Sequence, residues 1–199
     1  MSARRDEIAQ AALDLIDEEG LEALTMRRLA TRLGMGTMTL YGHFRDKDEL
    51  LAAAIGRAGA EQAPERLEGP WQEQLRTLAR GWHAGLVRHP ALVRLRLQRP
   101  LTGPQLFRST EAGLAALLDA GFDRAAAARA FRLLFLYVFG SAAFNDASGA
   151  RDAIAQLPAD EFPVVTSMPE ELAATLGGNE QFEFGLDALI AGLEAMLAS

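Results

Sequence analysis

The tetrapeptide Leu33-Gly34-Met35-Gly36 breaks a helical pattern after barely two turns and lets another begin at once, which restricts the surrounding chain to few arrangements. Upstream, Thr25 is suited to cap a helix whose apolar positions Leu29, Ala30 and Leu33 recur at helical spacing. Gly34 stands where a left-handed residue is wanted after the last turn. Met35 is apolar inside a three-residue turn, so it is expected to plug the angle between two helices, with Ala30 small enough for the backbones to approach. The second helix then starts at Gly36 or Thr37. In it Leu40 and Phe44, four residues apart, face inward and leave Thr37, Met38, Thr39, Tyr41, Gly42 and His43 on the outer faces. Short angled helices that present polar and aromatic groups outward suit a DNA groove.

Local charge agrees with this and whole-chain charge does not. The formal net charge is −7, which alone argues against a nucleic-acid partner. Between Leu24 and Lys47, however, Arg27, Arg28, Arg32, Arg45 and Lys47 face a single acid, Asp46, for a local charge of +4 that leaves −11 on the remainder. A basic head on an acidic body is expected to turn the head toward phosphates.

The 199 residues suffice for one small head and one larger body, with the boundary expected between Gly59 and Pro70, where two glycines and two prolines fall. The units are accordingly 1–60 and 61–199. With no cysteine, disulfides, thiol catalysis and cysteine-based zinc sites are excluded. Met-Ser-Ala-Arg-Arg precedes an amphipathic pattern rather than an apolar signal core, and the apolar run Leu133 to Phe144 is shorter than the roughly 20 residues a bilayer needs. The expectation is a cytoplasmic chain with no membrane partner.

Periodicity reads as helix almost throughout, and no alternation is long enough to build a sheet, so the expected fold is all-α. Ile8, Ala12, Leu15 and Ile16 form a stripe on a first helix ended by Gly20. Asp46, Asp48 and Glu49 suit the N-terminus of a fourth helix carrying Leu50, Leu51 and Ile55. In the body, Trp71, Leu75, Leu78, Trp82 and Leu86 repeat at helical spacing, and Pro90 and Pro104 suit the first turns of the next two helices, the second of which carries Leu106, Leu114, Leu117 and Leu118. Asp123 is expected to cap a helix from Arg124 to about Asn145, and Asn179 a last one bearing Phe182, Leu186, Leu189, Ile190, Leu193 and Met196. The span from Asp146 to Gly178 reads as an acidic, mobile loop region holding one short helix, begun by a capping box at Ser167-Met-Pro-Glu170.

The stretches Gly20-Leu-Glu-Ala-Leu-Thr-Met-Arg-Arg-Leu-Ala-Thr-Arg-Leu-Gly-Met and Thr39-Leu-Tyr-Gly-His-Phe-Arg-Asp-Lys-Asp-Glu-Leu-Leu resemble the head of the tetracycline-repressor (TetR) family of transcription regulators. The resemblance covers roughly the first quarter of the chain, and the helical body has a length that fits the family's ligand-binding and dimerisation domain. It implies a helix-turn-helix, three-helix DNA-binding head, a homodimer on a palindromic double-stranded operator, repression, and release when a small-molecule effector enters the body. It further implies that Arg27 contacts phosphate or a base edge, as do Thr37, Thr39, Tyr41 and His43, and that Lys47 holds backbone phosphate. The sequence departs from the family at two positions. Gly42 replaces a usually larger side chain, and Met38 stands where a small residue or proline is frequent, which bears on base preference. Arg4 and Arg5 either form an arm onto DNA or fray.

Enzyme and metal readings find little support. His83 and His89, six apart, do not share a helical face as ligands would, and no nucleophile elbow, phosphate-binding glycine loop or paired carboxylates occur. No catalytic residue, metal or cofactor is expected. Outside the regulator class stand two alternatives: a constitutive architectural DNA binder without an effector, and a small-molecule carrier whose head no longer binds DNA.

Two further sites are expected in the body. His83, Phe107, Thr110, Leu114 and Tyr137 come from helices that could surround one cavity, with Phe107 and Leu114 as its main wall, although His83 beside Trp82 reads at least as well as a half-buried core residue. Leu133 to Phe144 is apolar all round and must be covered on every side, so Gly140 and Ala142, with Leu186, Leu189 and Leu193 of the last helix, are expected at a four-helix dimer interface. From Gln74 to Thr110 there are seven arginines and no acid. They could face solvent, pair with the acidic loop or attract an anionic ligand, with surface and intersubunit pairing the preferred reading.

Overall fold

A computed structural model describes residues 3–60, 67–98, 104–145 and 148–198, and among these all regular structure is helical. Helix α1, Ala3–Glu19, buries Ile8, Ala12, Leu13, Leu15 and Ile16 and stops at Gly20. A 3-10 turn over Leu21–Ala23 then brings Leu24 beneath the next two helices. In α2, Met26–Arg32, the Thr25 hydroxyl accepts from the Arg28 N–H at 3.1 Å, the expected cap. Its C-terminus closes with Gly34 N–H donating to Thr31 O at 3.1 Å and Met35 N–H to Ala30 O at 3.0 Å. This paired closure requires the left-handed φ of 62° that Gly34 adopts without steric cost. Helix α3, Thr37–His43, follows directly and turns Leu40 and the adjoining Phe44 into the core.

Helix α4, Lys47–Ala60, starts with a reciprocal cap. Asp46 Oδ1 accepts from Glu49 N–H, and Glu49 Oε2 accepts in return from Arg45 N–H, each at 2.8 Å. Its small residues Ala52, Ala53, Ala54 and Ala58 are buried and let neighbouring helices come close. The extreme contact is with Gly85, where a Cβ would stand 2.3 Å from Ala58 O.

The body begins with α5, Trp71–Arg88, followed by α6, Pro90–Gln98, and α7, Pro104–Asp119, each of the latter two opened by its proline as expected. Asp123 Oδ1 caps α8, Arg124–Ala143, by accepting from Ala125 and Ala126 N–H at 2.8 and 2.9 Å. By length and composition α8 is apolar enough to cross a membrane, although the run Leu133 to Phe144 is not: the helix starts nine residues earlier. In the fold its face of Ala127, Phe131, Leu134 and Val138 joins Leu75, Leu117, Phe182 and Ile190 in the body core. Leu92 and Leu95 of α6 belong instead to the cluster built by α1 to α4. Of the expected linker, residues 61–66 lie outside the described ones.

Three sequence expectations are corrected. The span before the last helix is not a loop with one helix but carries α9, Ala150–Ala155, α10, Pro163–Ser167, and α11, Pro169–Ala174. Ser167 does not cap α11: its hydroxyl donates to Val164 O at 2.7 Å inside α10, while Met168 takes the cap position and Pro169 the first turn. Asn179 does not cap α12, Asn179–Leu197, but is its first residue. The preceding Gly178 takes that role, its N–H held by Asn145 Oδ1 at 2.7 Å.

Candidate nucleic-acid interface and ligand cavity

The outer side of α3 carries the side chains expected there. Met38, at 82% exposure, Tyr41, at 46%, Thr39 and Gly42 are exposed, and Thr37 and His43 are half-buried at its ends. A Cβ at Gly42 would meet nothing within 4 Å, so the glycine opens the outer face without any packing demand. Helix α3 is locked from behind. The Arg5 guanidinium donates to His43 O and to Glu49 Oε1, the latter at 2.7 Å, and lies 4.3 Å from the Phe44 ring centroid. Arg5 is therefore a clasp between α1, the end of α3 and α4, neither an arm nor a frayed terminus. Its hydrogen bond, aided by the Arg45 N–H, holds the Glu49 carboxyl below the usual carboxylate range against the opposing effect of burial.

The basic residues divide between two tasks. Arg32 grips Glu18 through two hydrogen bonds of 2.6 Å, Arg28 pairs with Glu19, and Arg45 pairs with Asp46 at 2.9 Å. Three of the five charges counted toward phosphates are thus neutralised within the head, two of them by α1. Among the described residues neither Arg27, exposed on α2, nor Lys47, at the start of α4, has an ion pair.

In the body a cavity of about 830 Å³ opens between α4, α5, α6, α7 and α8. Phe107 and Thr110 line it as expected; His83, Leu114 and Tyr137 do not. His83 is buried in a stack on Phe182, with ring centroids 3.8 Å apart and planes within 5°, and burial pushes its imidazole below the ordinary histidine value. Tyr137 flanks the same Phe182, its ring centroid 5.8 Å away, and donates to Phe182 O at 2.7 Å. Leu114 packs on the body core. These three residues alternate with cavity residues along the same helices, so helical phase separates them. The wall missed by sequence reasoning is aromatic and basic: Trp82, Phe135, Phe139 and Arg96. Trp82 was singled out only as an apolar repeat, and nothing local distinguishes the core side of a helix from its cavity side.

The cavity touches the head directly. Ile55, Gly56 and Ala58 of α4 line it, and a Cβ on Gly59 would stand 3.2 Å from Trp82 Cδ1. On α6, Leu92 and Arg96 line it, while His89, just before that helix, pairs through Nδ1 with Asp17 Oδ2 of α1 at 2.7 Å. Among the described residues no group of three His, Cys, Asp or Glu could hold a metal ion.

The dimer-interface expectation is corrected for Leu186 and Leu193. Leu186 and Leu193 are buried in this chain's own core, Leu189 packs against it, and Gly140 and Ala142 are half-buried. The outward apolar side chains include Leu133, Leu136 and Phe144 on and just after α8, and Phe184 and Met196 on α12. A polar seam closes the α5 side of α12. Arg80 pairs with Glu183 at 2.7 Å, Arg76 with Asp187 at 2.9 Å, and Gln72 donates to Glu194 at 2.6 Å. Arg76 and Arg80 thus use acids of the last helix, Arg76 also Glu73 of its own helix at 3.2 Å, and not acids of the preceding loop region.

Residues 8–54 match the family model described as bacterial regulatory proteins, tetR family, and residues 63–197 match the tetracyclin repressor-like C-terminal domain. The chain is 32% identical to the HTH-type transcriptional repressor DrrR1 of Streptomyces coeruleorubidus over 97% of this chain and 78% of that one. It is also 32% identical to the class E tetracycline repressor protein of Escherichia coli, over 96% and 91%. Apo ActR of Streptomyces coelicolor superposes with a TM-score of 0.77 at 31% identity, covering 98% and 96%. ActR has also been solved with (S)-DNPA and with actinorhodin.

Proposed function

We propose, for a chain that belongs to the TetR family of transcriptional regulators, a homodimeric repressor that leaves its operator when a small molecule enters the body cavity. The observation that carries this reading is that one helix, α4, serves both ends. Its first residue is the free cation Lys47, and its last turns form cavity wall against Trp82. A ligand that displaces Trp82 or α6 pushes on α4 and shifts α3 with it. Coupling of about 1–3 kcal/mol corresponds to roughly 5–150-fold weaker DNA binding, and DNA must weaken the ligand equally. The ligand-bound ActR structures support a receptor role for such a body.

Units 1–60 and 61–199 then divide reading from sensing, and the two family matches, over 8–54 and 63–197, support that division. The second copy covers the outward face of Leu133, Leu136 and Phe184, because an isologous contact between these helices places two readers symmetrically. Operator binding locates the protein with the chromosome, in the cytoplasm. The exposed set Thr39, Tyr41 and Met38 reads the groove, and Arg27 and Lys47 hold phosphate.

Selection from a random duplex library tests this reading. The expected outcome is a palindrome whose half-sites lie about 34–36 Å apart, one helical turn, or a multiple of this. Lys47→Ala should weaken all duplexes alike and reduce the salt slope by about one, while Thr39→Ala should change which variants bind. A pool without sequence enrichment would overturn the regulator reading and favour the carrier.

A further inference from the structure

We propose that the body cavity selects a flat aromatic anion, its rings seated on Trp82, Phe135 and Phe139 and its anionic group on Arg96. The proposal rests on the reading of this cavity as the effector site.

The aromatic wall is continuous. Trp82 meets Phe135 edge-on, with centroids 6.4 Å apart and planes at 71°, and Phe135 stacks on Phe139 at 5.6 Å and 19°. Stacked and edge-on contacts are the geometries in which aromatic rings attract, so a planar guest against these residues makes the kind of contact they already make with one another. Arg96 enters from α6, half-buried, with its guanidinium carbon 6.0 Å from the Phe135 centroid. The Phe135 face satisfies part of that charge, but five N–H donors call for oxygen acceptors. Among the described residues no carboxylate pairs with Arg96. Arg76 and Arg80, one helix earlier, show the alternative: both are committed to acids on α12. Arg96 belongs to the same wall as Phe135 and Phe139, so the wall that attracts a planar guest also repels a cation. The acids of the lining, Asp6 and Asp119, come from α1 and from the last residue of α7, whereas α5, α6 and α8 supply this corner.

Three dyes of comparable ring size decide the matter: 8-anilinonaphthalene-1-sulfonate as the anion, N-phenyl-1-naphthylamine as its uncharged counterpart, and ethidium as a cation. A Trp71→Phe protein leaves Trp82 as the sole tryptophan, so energy transfer from it to the sulfonate that is lost in Arg96→Gln reports occupancy of this cavity rather than of the exposed apolar side chains of α8 and α12. We expect the sulfonate to bind most tightly with quenching of Trp82. Arg96→Gln should weaken it at least about tenfold while changing the uncharged dye less than twofold, and Arg96→Lys should retain most of the affinity. If Arg96→Gln does not fold, salt decides on the unsubstituted protein, weakening the sulfonate and leaving the uncharged dye unmoved. Equal binding of charged and uncharged dyes, tighter ethidium, or no transfer from Trp82 would each overturn the proposal. Operator release, measured in the same titration, separates the two readings. Arg96-dependent sulfonate binding without release breaks the ligand-released repressor and leaves the ligand class standing. Release by compounds that ignore Arg96 does the reverse.

Discussion

The head and the body solve opposite packing problems with the same kind of helix. In the head, α1 to α4 close around Leu13, Leu29, Leu40, Phe44 and Leu50, and the side chains proposed to read DNA stand outside on a seven-residue helix. In the body, α5 to α8 hold apart around about 830 Å³, and the working side chains face in. A reader of a preformed duplex needs its contact surface held rigidly from behind, which dense packing and the Arg5 clasp supply. A receptor for a small molecule needs volume withheld from its own core. The two meet at α4, which is buried on the head side and lines the cavity at its far end.

The sharpest way to break this comparison is to truncate one phenylalanine on each side. Phe44→Ala empties a fully buried site and should cost about 3–5 kcal/mol in urea unfolding, with operator binding lost alongside. Phe107→Ala, at a cavity residue 58% exposed, should leave stability and apo operator affinity nearly intact and reduce the effector response. Comparable destabilisation by both would make the cavity an ordinary core defect.

Next in size is the joint between the regions. Gly85→Ala places a methyl against the Ala58 carbonyl and must spread α4 from α5, for an expected cost of about 1–3 kcal/mol by denaturant titration. Ligand-free operator affinity should fall with it, because α4 positions α3; unchanged DNA binding at reduced stability would show that the joint does not transmit.

Smaller still is the Arg5 clasp. Glu49 has its folded pKa lowered chiefly by Arg5, so its contribution is present above the ordinary carboxylate value near 4.5 and is lost as pH falls through the folded one. Glu49→Gln should cost about 1–2 kcal/mol at pH 7. The gap between the variant and the unsubstituted protein should close on acidification; a pH-independent gap would assign the loss to packing.

The smallest effect should be a gain. Gly42→Ala adds a methyl to an open helical position and should stabilise the head by up to about 1 kcal/mol in thermal unfolding, altering base preference in an operator-variant panel. Unaltered preference would place Gly42 off the groove-facing side.

The helix-turn-helix was legible in the sequence because its determinants are local. The Thr25 cap, the Gly34 turn and the Leu40/Phe44 pair each act within four residues, and each has its expected role. The Asp123 cap and the openings at Pro90 and Pro104 were legible for the same reason. Helical phase in the body was not. Phe107 and Thr110 line the cavity while His83, Leu114 and Tyr137 turn away from it, and Leu186 and Leu193 face the chain's own core rather than a second subunit. An all-apolar helix such as α8 carries no polar face to mark which side meets what.

By itself the sequence determined the order and ends of most helices, the exposed outer face of α3 and the basic character of the head, because caps, turns and helical periodicity operate over a few covalently close residues. Only the tertiary structure decided that Arg28 and Arg32 are spent on α1, that Arg5 clasps α3 to α4, and that Arg96 rather than His83 faces the cavity. Those outcomes depend on which helices become neighbours across up to 44 residues of chain in the case of Arg5 and Glu49. An arginine reads the same in sequence whether its carboxylate partner, a ring face or open solvent comes to lie beside it.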